Sequence, residues 1–163
     1  MTHLNDEGEV HMVGVTAKPA TARRAVATAS LRMKRETMER LWSGGVAKGD
    51  ALAAARIAGI QAAKRTWELI PLCHPVKITG ASVELDVVPQ PAGDEAVVRV
   101  RATVDAFDQT GVEMEAMIAA STAALTLYDM LKAVDRWMTI TEVELVEKSG
   151  GRSGHHKRED KST

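Results

Sequence analysis

The chain has 163 residues, of which 45% are hydrophobic and 26% charged, with a formal net charge of −1. That is enough for one domain with a real core, and a balance so near zero excludes a global field that gathers polyanions. Aromatic residues make up 3%, with one Phe and one Tyr, which speaks against nucleic-acid binding through stacked bases. The single cysteine rules out an internal disulfide and fits a reducing compartment, so a cytoplasmic protein is expected. The N-terminal MTHLNDEGEV is polar, and no apolar run approaches a membrane span, so no membrane partner is expected.

Residues 1–19 lack a period and read as an extended arm that ends at Pro19. Residues 23–33 alternate, with Ala25, Ala27, Ala29, Leu31 and Met33 on one side, which predicts a strand with one buried face. KRETMERLWSGG predicts a short helix closed by Gly44 and Gly45. Asp50 can cap a second helix over 50–65, and Pro71 and Pro75 break the chain after it. Residues 76–88 and 96–107 alternate on either side of the turn signal PQPAGDE and predict a hairpin. A long helix is predicted over 112–135, opened by a capping box from Thr110 to Glu113. A last strand is predicted over 137–147. The polar KSGGRSGHHKREDKST then reads as a flexible tail that includes His155 and His156. Four strands and about three helices in this order predict an α+β fold with the helices on one sheet face.

The second and the long helix are rich in Ala and Gly, among them Gly59, Ala119 and Ala123. Small residues permit close approach, either within one subunit or across an oligomer interface. Asp129 and Lys132 lie at i, i+3 on one helix face. They make either a surface ion pair or an acid–base couple in which each charge holds the other. Glu113 and Glu115 sit in the first turn of the long helix, where carboxylates suit the helix dipole. Glu115 lies fourteen residues before Asp129, about 21 Å along a straight helix, so one small-molecule site that uses both needs two subunits. Cys73 and His74 are adjacent, and no second Cys or spaced His completes a zinc pattern, so no structural metal is expected. His74 comes after a turn and can donate to an anion. KSGGRSG, with Lys148 and Arg152, forms either an anion nest or part of the tail.

Three stretches, KGDALAAARIAGIQAAKRTWELIPLCHP, TGVEMEAMIAASTAALTLYDMLKAVD and EKSGGRSG, resemble the MoaC family, as does HMVGVTAK near the start. The likeness spans almost the whole chain, with one departure at Gly14, where the family carries Asp. It implies a ferredoxin-like α+β fold whose four-stranded antiparallel sheet has helices packed on one face. It also implies a single catalytic domain over 1–150 with an N-terminal arm, followed by a tail over 151–163. The implied activity turns a cyclised dihydroguanosine triphosphate into cyclic pyranopterin monophosphate with release of pyrophosphate, in molybdenum cofactor biosynthesis. The implied assembly is a hexamer, a trimer of dimers, with sites at subunit interfaces.

Carried over by position, the resemblance makes Asp129 the acid–base residue and Lys132 its partner. Leu72, Cys73 and His74 become a substrate-binding turn, and Met114 and Glu115 a second binding segment with Glu113 beside it. Lys48, Arg23 and Lys148 become cations around the substrate. No cofactor is implied, and whether a divalent cation accompanies the triphosphate stays open. The runner-up is a non-catalytic nucleotide-binding regulator, which would have no need of Asp129 beside Lys132.

Overall fold

The computed structural model describes residues 4, 7–90 and 93–159. Pro91 and Ala92 of the expected hairpin turn, and the ends of the expected arm and tail, lie outside the described residues.

The chain runs β1 (Thr21–Lys34), α1 (Arg35–Trp42), α2 (Ala51–Lys64), α3 (Thr66–Leu69), β2 (Ile78–Val88), β3 (Glu95–Asp108), α4 (Glu113–Leu131), β4 (Thr139–Ser149) and β5 (His156–Lys157). It is an α+β fold. The strands form one sheet in the order β2-β3-β1-β4-β5, and every pairing is antiparallel. The sheet has five strands rather than the four expected. The fifth is a two-residue strand from the expected tail, too short to show any period, which pairs with β4 through Glu147↔Lys157 and Lys148↔His156.

The expected period-two alternation holds on the core side of β1. Ala25, Ala27, Ala29 and Leu31 have no exposed surface and face a layer of equally buried alanines from α4, including Ala116, Ala120 and Ala123. The other side of β1 is not simply solvent-facing. Ser30 is also buried, and its hydroxyl donates to Glu142 Oε2 at 2.9 Å, where β4 bulges and Glu142 takes a φ of 53°. Helices α2 and α4 touch over small residues. A Cβ built on Gly59 would lie 2.9 Å from the Ala119 carbonyl oxygen and 2.9 Å from Val83 Cγ2, so the approach needs glycine. The small-residue stripe therefore packs within one subunit at this crossing.

Asp50 caps α2 as expected, accepting from the Ala53 N–H at 2.9 Å. The capping box of α4 does not form. Val112 is the N-cap and no side chain caps the helix, because the Glu113 carboxylate is taken by Lys148 of β4. Helix α4 also ends at Leu131, four residues before the expected end at Asp135. Asp135 is 4% exposed and turns its carboxylate to the start of α1, accepting from the Lys34 N–H at 2.8 Å and the Thr37 hydroxyl at 3.2 Å. It thus satisfies orphan donors at the N-terminus of a helix almost one hundred residues upstream.

Candidate active site

Helix α4 carries functional groups at both ends. At its N-terminal end a cavity of about 470 Å³ opens between the starts of β1 and α4 and the end of β4. Its walls carry Lys18, Arg23, Glu113, Lys148 and Arg152. Arg23 is fixed by two main-chain carbonyls: Nε donates to Asp108 O at 3.2 Å and Nη2 to Gln109 O at 2.9 Å. The Asp108 carboxylate braces that segment in turn, accepting from the Lys77 N–H at 2.8 Å and the Gln109 N–H at 2.7 Å. Carbonyls position the guanidinium without cancelling its charge, so Arg23 keeps a full positive charge for an anion. Lys148 Nζ lies 2.9 Å from Glu113 Oε1, with both side chains 30% exposed. The hydroxyl oxygens of Thr21 and Thr110, two further wall residues, are buried with no hydrogen-bond partner among the described residues.

Above Ser149 the backbone turns through Gly150 and Gly151, at φ 100° and 68°. Both positions need glycine twice over. The conformation is left-handed, and a side chain at Gly150 would overlap the Ala22 carbonyl while one at Gly151 would overlap the Arg23 guanidinium.

A second hollow of about 390 Å³ adjoins the first, sharing Lys18, Thr110, Gly111 and Glu113 with it. Leu72, Cys73 and His74 form one wall, and Met114 and Glu115 another. Glu115 is 4% exposed. Burial pushes its carboxyl up to about 6, with a smaller contribution from the charge of Glu113. Burial also raises the Cys73 thiol, and the Glu115 charge adds to the effect.

At the other end of α4 the Asp129 carboxylate is held by two ammonium groups. Lys132 Nζ lies 2.7 Å from Oδ1, and Lys48 Nζ lies 2.9 Å from Oδ2 and donates also to the Asp129 carbonyl at 2.7 Å. The hydrogen bond from Lys132, then that from Lys48, lowers the carboxyl to about 2. Asp129 raises the Lys132 ammonium in return. Asp129 is thus a carboxylate at neutral pH, with one ammonium group on each of its oxygens.

The expected residues thus fall into two groups. Arg23, Leu72, Cys73, His74, Glu113, Met114, Glu115 and Lys148 surround the two adjoining hollows. Lys48, Asp129 and Lys132 do not join them within one chain, since Glu113 and Asp129 are sixteen residues apart on α4, about 24 Å along its axis. Lys18 lines both hollows, and the sequence reading gives it no role. Its place at the end of HMVGVTAK was the signal. The Lys64 and Arg65 cations at the end of α2 join neither group, and Arg65 pairs with Glu68 at 3.1 Å. Among the described residues no three His, Cys, Asp or Glu side chains come together to hold a metal ion. No helix is long and apolar enough to cross a membrane.

Residues 12–151 match the MoaC family. A cyclic pyranopterin monophosphate synthase of Desulfitobacterium hafniense is 49% identical over 160 residues, covering 98% of this chain and 95% of that protein. Proteins of Mycobacterium bovis and Mycobacterium tuberculosis named cyclic pyranopterin monophosphate synthase 3 are 53% identical over 160 residues, covering 98% of this chain and 88% of theirs. A family match over most of the chain, with relatives at about half identity along nearly their full length, settles the kinship: this chain belongs to the MoaC family.

Proposed function

We propose that the chain is a cyclic pyranopterin monophosphate synthase, a phosphorus–oxygen lyase of molybdenum cofactor biosynthesis. It converts a cyclised dihydroguanosine triphosphate into the cyclic pterin phosphate and releases pyrophosphate. The relatives at about half identity carry that name. The observation that carries the chemistry is the cavity at the N-terminal end of α4, whose walls carry four cations, Lys18, Arg23, Lys148 and Arg152, against one carboxylate, Glu113. A triphosphate needs several cations, because one leaves most of its charge uncompensated. Arg23, Lys18 and Lys148 take the phosphates, and Lys148 exchanges Glu113 for phosphate oxygen as substrate enters. In the adjoining hollow His74 donates to the anion, and Glu115 accepts N–H donors of the base. A carboxyl near pH 6 is poised to hold or release a proton as the ring opens and closes.

The Lys48–Asp129–Lys132 cluster supplies the remaining proton transfers. Asp129 aims both ammonium groups and keeps Lys132 protonated, and Lys132 donates. Because the cluster lies about 24 Å along α4 from Glu113, a partner subunit brings its own cluster to this cavity. The surface around the cluster supports such packing. Leu125, one turn before Asp129, is 58% exposed and Trp137 is 86% exposed. We take the assembly to be the hexamer, a trimer of dimers, that the family resemblance implies. The strand–helix–strand–strand–helix–strand order, with β1 next to β3 inside the sheet, supports a ferredoxin-like reading of the fold, extended by β5. The unpaired Cys73 in the site suits the reducing cytoplasm.

The test is to supply the cyclised triphosphate and look for a phosphate-bearing pterin together with pyrophosphate. Binding without pyrophosphate release would refute the lyase and favour a nucleotide-binding regulator.

A further inference from the structure

The family match ends at residue 151, yet the described chain continues, and its next two residues, Arg152 and Ser153, line the cavity. After the glycine turn the backbone reverses and returns along β4 as β5. The turn is closed by the Gly154 N–H on the Gly151 carbonyl at 3.3 Å and by His156 Nε2, 2.7 Å from the Ser153 carbonyl. A ladder of two residue pairs is too short to hold a hairpin by itself. Arg158, next in the chain, supplies the missing hold. Its N–H donates to Val146 O at 2.8 Å, its Nε donates to Leu145 O at 3.0 Å, and Nε also lies 3.7 Å from Glu144 Oε2. One side chain and its own amide thus fasten the returning strand to three successive residues of β4.

The tip of the held turn faces the cavity. Gly151 lies against the Arg23 guanidinium, and Arg152 forms part of the cavity wall with Lys18, Arg23 and Lys148. Without the return strand the turn is tethered on one side only. Arg152 then becomes a mobile charge, and the backbone at Gly151 no longer confines Arg23. Holding a charged group in place before the ligand arrives removes an ordering cost from binding.

We propose that the returning C-terminal strand is a working part of the phosphate end of the site. Arg158 is a positioning residue that holds the glycine turn, and Arg152 is a phosphate-contacting residue carried by that turn. The ligand chemistry is a linear oligophosphate, met either on the nucleotide or as free pyrophosphate. This rests on the reading of the cavity as a phosphate site.

The experiment measures inorganic pyrophosphate affinity by calorimetry, and KM and kcat for the cyclised triphosphate, in Arg158→Ala, Arg152→Ala, the double variant and Lys157→Ala. Arg158→Ala and Arg152→Ala are each expected to weaken pyrophosphate binding and raise KM by about tenfold with kcat within about twofold. The double variant should be no worse than the weaker-binding single, because Arg158 acts through the turn that carries Arg152. Lys157→Ala, which keeps the strand's backbone ladder, should match wild type. Wild-type pyrophosphate affinity in Arg158→Ala overturns the proposal, as do additive losses or a fall in kcat with KM unchanged. A wild-type protein that fails to bind pyrophosphate overturns it as well. Wild-type pyrophosphate binding that depends on Arg158, without turnover of the nucleotide, would refute the lyase reading and leave this one standing.

Discussion

Replacing Glu115 by Gln should change the pH dependence of stability in a calculable way. The carboxyl is 4% exposed, and burial lifts it from 4.5 to about 6. The folded value lies above the unfolded one, so the group's contribution is fully present below about pH 4.5 and is lost as pH rises through about 6. That shift corresponds to about 2 kcal/mol, the cost of ionising a carboxyl that the fold keeps from water. Gln has the same shape and never ionises. Relative to wild type, the variant should therefore gain about 2 kcal/mol between pH 4 and pH 8, with most of the change between the two values. The assay is urea unfolding of both proteins at a series of pH values and one fixed protein concentration. Taking the difference cancels the titrating groups that do not interact with Glu115. A second readout comes from Cys73, whose thiol the Glu115 charge helps to raise, so its alkylation near pH 8 should speed up in the variant. A stability difference that stays flat across pH 4 to 8 would refute the view of Glu115 as a buried acid.

Asp129→Asn removes the charge that two lysines grip at 2.7 and 2.9 Å, so kcat should fall by at least about a hundredfold while nucleotide affinity stays within about threefold. Normal turnover would sink its role. Mixing inactive Asp129→Asn with inactive Lys148→Ala subunits, after unfolding and reassembly, should restore about a quarter of the wild-type sites if each is shared between two chains. No recovery would place the site within one chain. Gly59→Ala should lower stability by about 1 kcal/mol, since overpacking outweighs the gain in helix propensity. A more stable variant would show that α2 and α4 separate easily.

The legible parts of this fold were those set by local pattern. The alternation of Ala25, Ala27, Ala29 and Leu31 placed β1 and its core-facing side, and Asp50 marked the start of α2 by the bond it makes. The readings that failed were decided by distant residues. The Thr110–Glu113 capping box has the right letters at the right spacing. The protein instead gives Glu113 to Lys148, thirty-five residues on, because a charge-assisted bond between partly buried groups outcompetes a reciprocal cap. Strand β5 has no period to read, and Arg158 acquires its role only from carbonyls that the hairpin brings within reach.

The case of Lys48 and His74 carries this furthest. They flank one helix in the sequence, and a single anion site with cations at both ends of that helix is the natural first picture. Helix α2 is fourteen residues long, about 21 Å, and it separates them. Lys48 is drawn to Asp129 across eighty-one residues, while His74 lies beside Glu115 at the opposite end of α4. Helices α2 and α4 pack at Gly59 too closely to admit a methyl group without a shift, so both act as rigid spacers. Each chain then presents one of the two residue groups at either end of this helical layer. On the proposal of a shared site the halves meet between copies, because neither helix can shorten without breaking the contact at Gly59.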